Sequence, residues 1–283
     1  MDGWHQSDWA SYGFQDEAKI DMMSAINEKI IKGLYASAIN IKAGAHYSSY
    51  ARNSQNPDSD IDLLLISDEI DIKRHKRGKE AASITQCLCI DLPFDILLLT
   101  SDECLSNFRN HNPLFSDIAY EGRILIDEDD FLIKLMEETK VYIYDRKIEK
   151  LADGWRFPVL YRRPTYLSDV SNKDFAKVMF TDGELDFKIG NNIMEDGYYD
   201  KAVYHFQQSV EKAVKTVLIS FGDFKKSHFV GGILTDKLKE VQLVHGWKKH
   251  LLRVAEIIDE VEIEVTWSRY PGIDNGVLWI PYE

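Results

Sequence analysis

The sequence predicts an α+β chain in two parts, a unit built on a short mixed sheet followed by an all-helical bundle. Two apolar runs of strand length, 61–67 and 93–100, lie on either side of a helical segment in the first part. Beyond about residue 170 the pattern turns all-helical, with apolar residues at steps of three or four from Tyr199 to Phe221. Charge divides the chain as well. Residues 1–154 hold 28 acidic and 17 basic side chains (−11), and residues 155–283 hold 19 and 17 (−2), which together give the net −13. Two surfaces of different character predict two domains, 1–154 and 155–283.

In order along the chain, Ile20, Met23, Ile26, Ile30 and Leu34 place one helix over 16–34. The stretch "YASAINIKAGAHY" (35–47) alternates like a strand and runs into a Ser48-Ser49 turn. "IDLLLIS" (61–67) reads as a strand buried on both faces, 76–90 as a helix, and "PFDILLLT" (93–100) as a third strand with proline at its opening. Ser101, with Glu103 nearby, is the expected N-cap of the next helix, and a helical segment at 129–150 closes the unit. Residues 152–170, with two prolines and a glycine, read as the linker. Four helices are expected after it: 184–195, a long one from Tyr199 to Phe221 stopped by Gly222, then 230–243 and 247–265.

Composition narrows the function. The acidic balance argues against a nucleic-acid partner held by broad phosphate neutralisation. Cys87, Cys89 and Cys104 match neither a disulfide scaffold nor a zinc site, which predicts reduced thiols. The polar first twenty residues do not read as a signal peptide, and no uncharged apolar run reaches the ~18 residues of a membrane span. The expectation is a soluble cytoplasmic protein without a membrane partner.

The chemistry concentrates in "YSSYARNSQNPDSDIDLLL" (47–65). Asp60 and Asp62 stand at i and i+2 of a strand opening, so both carboxylates project to one face. Such a pair repels itself unless a cation lies between, and Mg²⁺ takes one or two carboxylates plus water and substrate phosphates. Asp95, in "PFDILLL" on the neighbouring strand, is placed to supply the third carboxylate of a two-metal site. Backbone N–H groups and a hydroxyl of the Ser48-Ser49 turn suit a triphosphate, and Arg52 adds charge there. The plain structural reading is that Asp-Ile-Asp is a solvated turn before a buried strand.

These residues resemble the nucleotidyltransferase superfamily related to DNA polymerase β, in its small "minimal nucleotidyltransferase" group. That family reads Gly-Ser-x-Ala-Arg, a loop, Ser-Asp-x-Asp, and a distal aspartate between apolar residues. Here "SSYARNSQNPDSDIDLLL" and "PFDILLL" follow the pattern across the first unit. The resemblance implies metal-binding and catalytic roles for Asp60, Asp62 and Asp95. It implies nucleotide contacts from Ser48, Ser49, Arg52 and Ser59, with two Mg²⁺ ions and ATP or another NTP as substrate. Two departures stand out: Ser48 occupies a position where the family has glycine, and Asn53 one where a second glycine is common.

"YYDKAVYHFQQSVEKAVKTVL", "KKSHFVGGIL" and "SRYPG" resemble the HEPN domain, an all-α bundle often fused to or encoded beside such enzymes. Many HEPN domains are ribonucleases that use Arg-x4–6-His on one helix, and no arginine of this chain is followed by histidine at that spacing. His228 and Arg269 remain as polar residues at helix ends. They either cap helices or bind a base or acceptor between the domains. The basic run "KRHKRGK" (73–79) reads as a solvated face or a helix start beside an acidic neighbour.

The function these resemblances imply is Mg-dependent transfer of a nucleoside monophosphate, AMP from ATP, to a hydroxyl of a small molecule or partner protein. The alternative is a nucleotide-binding toxin–antitoxin or sensing scaffold without turnover. A homodimer is the expected assembly.

Overall fold

The computed structural model describes residues 23–56, 59–159, 163–243, 245–264, 268, 272–274 and 277–279. Its Cα packing divides the chain into Met1–Ile143 and Tyr144–Glu283. The fold is α+β, with a mixed sheet first and a helical region second.

The first unit opens with α1 over 23–36, and 16–22 of the expected helix lie outside the described residues. Next come β1 (Ala43–Tyr47), the single turn α2 (Ser48–Ala51), β2 (Ile61–Ile66), α3 (Gly78–Leu88) and β3 (Phe94–Leu99). The unit continues through α4 (Ser101–Arg109), α5 (Pro113–Glu121), β4 (Arg123–Asp127) and α6 (Phe131–Asp145). The sheet runs β3-β2-β1-β4, antiparallel at β1/β2 and β1/β4 and parallel at β2/β3. Side chains of β2 alternate between two cores. Leu64 and Ile66 join Ala43, Ala45, Tyr47, Leu99 and the α4–α6 residues Phe108, Ile118 and Leu132. Ile61, Leu63 and Leu65 pack on the other side against Ile30, Leu34, Ile84 and Leu88. A strand covered on both faces must be apolar throughout, which is why "IDLLLI" shows no alternation.

The N-cap of α4 is Thr100, one residue before the expected Ser101. Thr100 Oγ1 accepts from the Glu103 N–H, and Glu103 accepts from the Thr100 N–H, a complete capping box. Ser101 instead hydrogen-bonds Asp68 through its N–H (2.8 Å) and its hydroxyl (2.7 Å). Glu103 also anchors the basic run. Arg77 is buried and reaches Glu103 Oε2 at 2.6 Å, the Leu98 carbonyl at 2.9 Å and the Asp71 carbonyl at 2.6 Å. Arg74 reaches Glu103 Oε1 at 2.9 Å. The run is therefore a helix start tied to an acidic neighbour. The helix α5 and strand β4 escape the sequence reading, although Asn112 caps α5 and Pro113 is its first residue.

The second unit contains β5 (Glu149–Leu151), β6 (Gly154–Arg156), α7 (Asn172–Glu195), α8 (Tyr199–Ser220) and β7 (Asp223–Lys225). It ends with α9 (Gly231–Glu240), α10 (His245–Val261) and the hairpin strands β8 (Gly272–Asp274) and β9 (Val277–Trp279). The expected linker is partly ordered structure. β6 pairs with both β5 and β7, and Trp155, Phe157 and Leu167 are buried. That pairing explains why the division falls at 143/144 and not at the expected 154/155. Gly154 is obligatory there, because a Cβ would lie 1.9 Å from the Phe224 carbonyl oxygen. Helix α7 begins at Asn172, well before 184, under a capping box from Ser171 to Asp174. Helix α8 stops where expected. Gly222 has φ +89° and its N–H donates to the Ile219 carbonyl at 2.9 Å. Val214 and Leu218 of α8 pack on Leu234, Leu238, Ala255 and Ile258 of α9 and α10.

Candidate functional site

The register places three residues abreast in the first unit: Tyr47 opposite Asp62 across β1/β2, and Asp62 opposite Asp95 across β2/β3. Neighbouring strands lie ~4.8 Å apart, so the two carboxylates stand one strand spacing from each other on one face. Asp60 is exposed two residues earlier, just before the strand, where the Ile61 N–H donates to the Pro93 carbonyl at 2.9 Å. Tyr47 registers the carboxylates' charge. Burial first, then the charges of Asp62 and Asp95, push its phenol well above the ordinary value, so the ring stays neutral. Carboxylate oxygens such as those of Asp62 and Asp95 are the donors a hard cation such as Mg²⁺ takes. Among the described residues, no three or more His, Cys, Asp or Glu side chains are gathered closely enough to hold a metal ion.

The turn after β1 is built around two positive φ angles. Ser48 has φ +63° and Asn53 φ +56°. These are the two positions where glycine was the expected residue, and the backbone has kept the left-handed conformation that glycine serves. Asparagine tolerates that region; serine sits there under a strain of ~1 kcal/mol. Ser48 and Ser49 are half-buried, and the Ser49 carbonyl accepts from the Ser54 N–H at 2.9 Å, which closes the turn. Arg52 points to Glu121 of α5, with Nη1 2.6 Å from the carboxylate. Ser59 donates its hydroxyl to Asn56 Oδ1 at 3.0 Å and accepts from the Asn56 N–H at the same distance. Arg52 and Ser59 thus have protein partners, and any phosphate would compete for them.

In the second unit, His228 is half exposed, with Nδ1 3.1 Å from both oxygens of the buried Glu211. Burial alone would raise the Glu211 carboxyl, but hydrogen bonds from Lys215, Gln207 and His228 hold it below the usual range. Gln207 and Gln208 both join this network, the first buried and 3.0 Å from Glu211. His228 does not cap α9, whose N-cap is Val230. Arg269, the other expected residue, lies outside the described residues. A second polar cluster escaped the sequence reading. Asp186 of α7 accepts from Lys212 of α8 at 2.5 Å and lies 2.8 Å from His205 Nδ1. A carboxylate on one helix facing a histidine and a lysine on the next carries no single-segment signature.

A mixed sheet with Asp62 and Asp95 in register, followed by a helical region, defines the class as a two-unit α+β protein. The HEPN domain family matches residues 176–277. The chain is also 35% identical, over 112 residues, to a candidate toxin of Methanocaldococcus jannaschii, an alignment covering 40% of this chain and 74% of that protein. The chain belongs to the HEPN family. Similar solved structures include a nucleotidyltransferase-like protein from Exiguobacterium sibiricum, with 15% identity, TM-score 0.34, and coverage of 84% of this chain and 77% of that one. A Shewanella oneidensis HEPN toxin in complex with MNT antitoxin gives 17% identity, TM-score 0.27, and coverage of 44% and 92%. A toxin–antitoxin crystal structure with AMP-PNP gives 18%, 0.29, 43% and 92%. Among the described residues, no helix is long and apolar enough to cross a membrane.

Proposed function

We propose that the first unit is a Mg-dependent nucleotidyltransferase that moves AMP from ATP to a hydroxyl of a small molecule or partner protein. The observation that carries this reading is the register of Asp62 with Asp95, with Asp60 two residues before Asp62. In this reading the three aspartates would hold two Mg²⁺ ions, which supply charge neutralisation at the triphosphate when bound. Asp95 would accept the acceptor hydroxyl's proton. The acceptor oxygen then bonds to the α-phosphorus and pyrophosphate leaves. Ser48 and Ser49 would meet the phosphates, with the left-handed Ser48 backbone supporting the close approach that glycine gives elsewhere. Arg52 would exchange Glu121 for phosphate on binding.

The test is pyrophosphate release from Mg²⁺-ATP, with and without cell extract, beside Asp60→Ala and Asp62→Ala. Release that depends on both aspartates is the expected result. ATP binding that depends on those aspartates, with no release in any extract, would replace transfer with the scaffold reading.

A further inference from the structure

Rows of side chains cross β1, β2 and β3 on the sheet face that carries Asp62 and Asp95. Two of these rows are apolar: Ala43, Ile66 and Leu99 in one, and Ala45, Leu64 and Leu97 in the next. The third lies at the end of the sheet where β1 finishes and β2 and β3 begin, and it is Tyr47, Asp62 and Asp95. Tyr47 is 7% exposed and joins Ala45, Leu64 and Phe115 in one core, a packing role that a phenylalanine ring would fill as well. The hydroxyl is the part of the residue that packing leaves unexplained. Taking a hydroxyl out of water without a partner is unfavourable, and among the described residues this one makes no hydrogen bond. The polar groups in its row are the two carboxylates, and both of their charges act on the phenol, Asp62 before Asp95. Directly opposed residues of an antiparallel pair have Cβ atoms ~5 Å apart, which brings Asp62 within reach of the ring's tip. The phenol has one proton to give and a carboxylate has about four lone-pair sites, so one such bond leaves the rest of the carboxylate for a cation. Tyr50 provides the contrast. It is as deeply buried, at 4%, but it packs with Ile61, Leu63 and Leu65 in the core on the other side of the sheet.

We propose that Tyr47 is a positioning residue of the first unit, its hydroxyl donating to the Asp62 carboxylate and holding it in the orientation that meets a divalent cation, a role that rests on the metal-binding reading of Asp60, Asp62 and Asp95. Groups that orient a metal's ligands in this way contribute about 10–100-fold to its affinity. The test is titration of the full chain with Mn²⁺, alone and with a non-hydrolysable ATP analogue, followed by the electron paramagnetic resonance signal of the free ion. Wild type is compared with Asp62→Asn, Tyr47→Phe and Tyr50→Phe. Tyr47→Phe should weaken Mn²⁺ binding by about tenfold or more, and its denaturant midpoint in EDTA should not fall, because the ring stays and only the hydroxyl is lost. Tyr50→Phe makes the same chemical change on the other side of the sheet and should bind Mn²⁺ as the wild type does. Mn²⁺ binding that needs Asp62 but is indifferent to Tyr47→Phe would overturn the role of Tyr47 and leave the metal site standing. An equal loss in Tyr50→Phe would assign the effect to packing and overturn the role as well. No binding by the wild type, or binding indifferent to Asp62→Asn, would remove the metal site and the role of Tyr47 together.

Discussion

His46 gives the sharpest test of the first unit's packing. It lies in β1 between Leu63 and Arg123, it is 1% exposed, and among the described residues neither ring nitrogen has a hydrogen-bond partner. Burial, with the Arg123 charge second, lowers its pKa from 6.5 to about 4. The folded protein therefore resists taking up a proton that the unfolded chain accepts at pH 6.5. The stability from keeping His46 neutral is complete above that pH and is lost as pH falls toward 4. Integrated over pH 7 to 5, this one group costs about 2 kcal/mol. His46→Leu removes it. Guanidinium unfolding of both proteins at pH 7 and pH 5 should show the wild type losing about 2 kcal/mol more than the variant across that interval. An equal loss in both would mean that the ring is already charged or hydrated in the fold, and the burial argument would fail.

Other expectations follow from the same contacts. Arg77→Ala should cost about 2–3 kcal/mol, because it leaves the Leu98 and Asp71 carbonyls without their donor and takes one of two arginines from Glu103; thermal unfolding measures this. Glu103 is held to about 2, its burial outweighed by hydrogen bonds from Arg77, Thr100 and Arg74. Its contribution, ~2–3 kcal/mol, should be present above pH 4.5 and fade as pH falls toward 2, and Glu103→Gln should flatten the acid limb of a stability–pH curve. Ser48→Gly should change stability by less than ~1 kcal/mol, since relief of the left-handed strain offsets glycine's entropy, yet tighten ATP binding by removing a Cβ from the turn. Looser binding in calorimetry would show that the serine hydroxyl contributes contacts of its own. Gly154→Ala should cost more than ~3 kcal/mol in denaturant unfolding through its collision with the Phe224 carbonyl.

Legibility in the sequence followed locality. The strands β2 and β3 could be read because a run such as "IDLLLI" buried on both faces has no other explanation at that length. The stop of α8 could be read because Gly222 follows six periodic turns. The left-handed backbone at Ser48 and Asn53 was not read from the sequence, although both stand where the resembled family has glycine. What stayed hidden depends on partners distant in sequence. β6 is three residues long and has meaning only beside Phe224, about seventy residues later. The basic run read as a solvated face or a helix start beside an acidic neighbour, and only the fold shows that the neighbour is Glu103 and that Arg77 is buried against it and the Leu98 carbonyl. The Glu211–His228 and Asp186–His205 pairs each join residues from different elements, and no spacing rule spans them.

The β5-β6-β7 sheet has a consequence for how the second unit assembles. Helices α7 and α8 are adjacent in sequence, joined by a short turn at Gly197, and can find each other quickly. Closing β6 on β7 spans a loop that contains the whole hairpin of helices, and a formed hairpin shortens the chain that must be closed. The sheet thus works as a clasp around the helical hairpin, with Trp155 as its buried stud. Cutting the chain at 154/155, where composition changes, would sever β6 itself and part β5 from the clasp. A cut at 143/144 keeps both halves of it on one polypeptide.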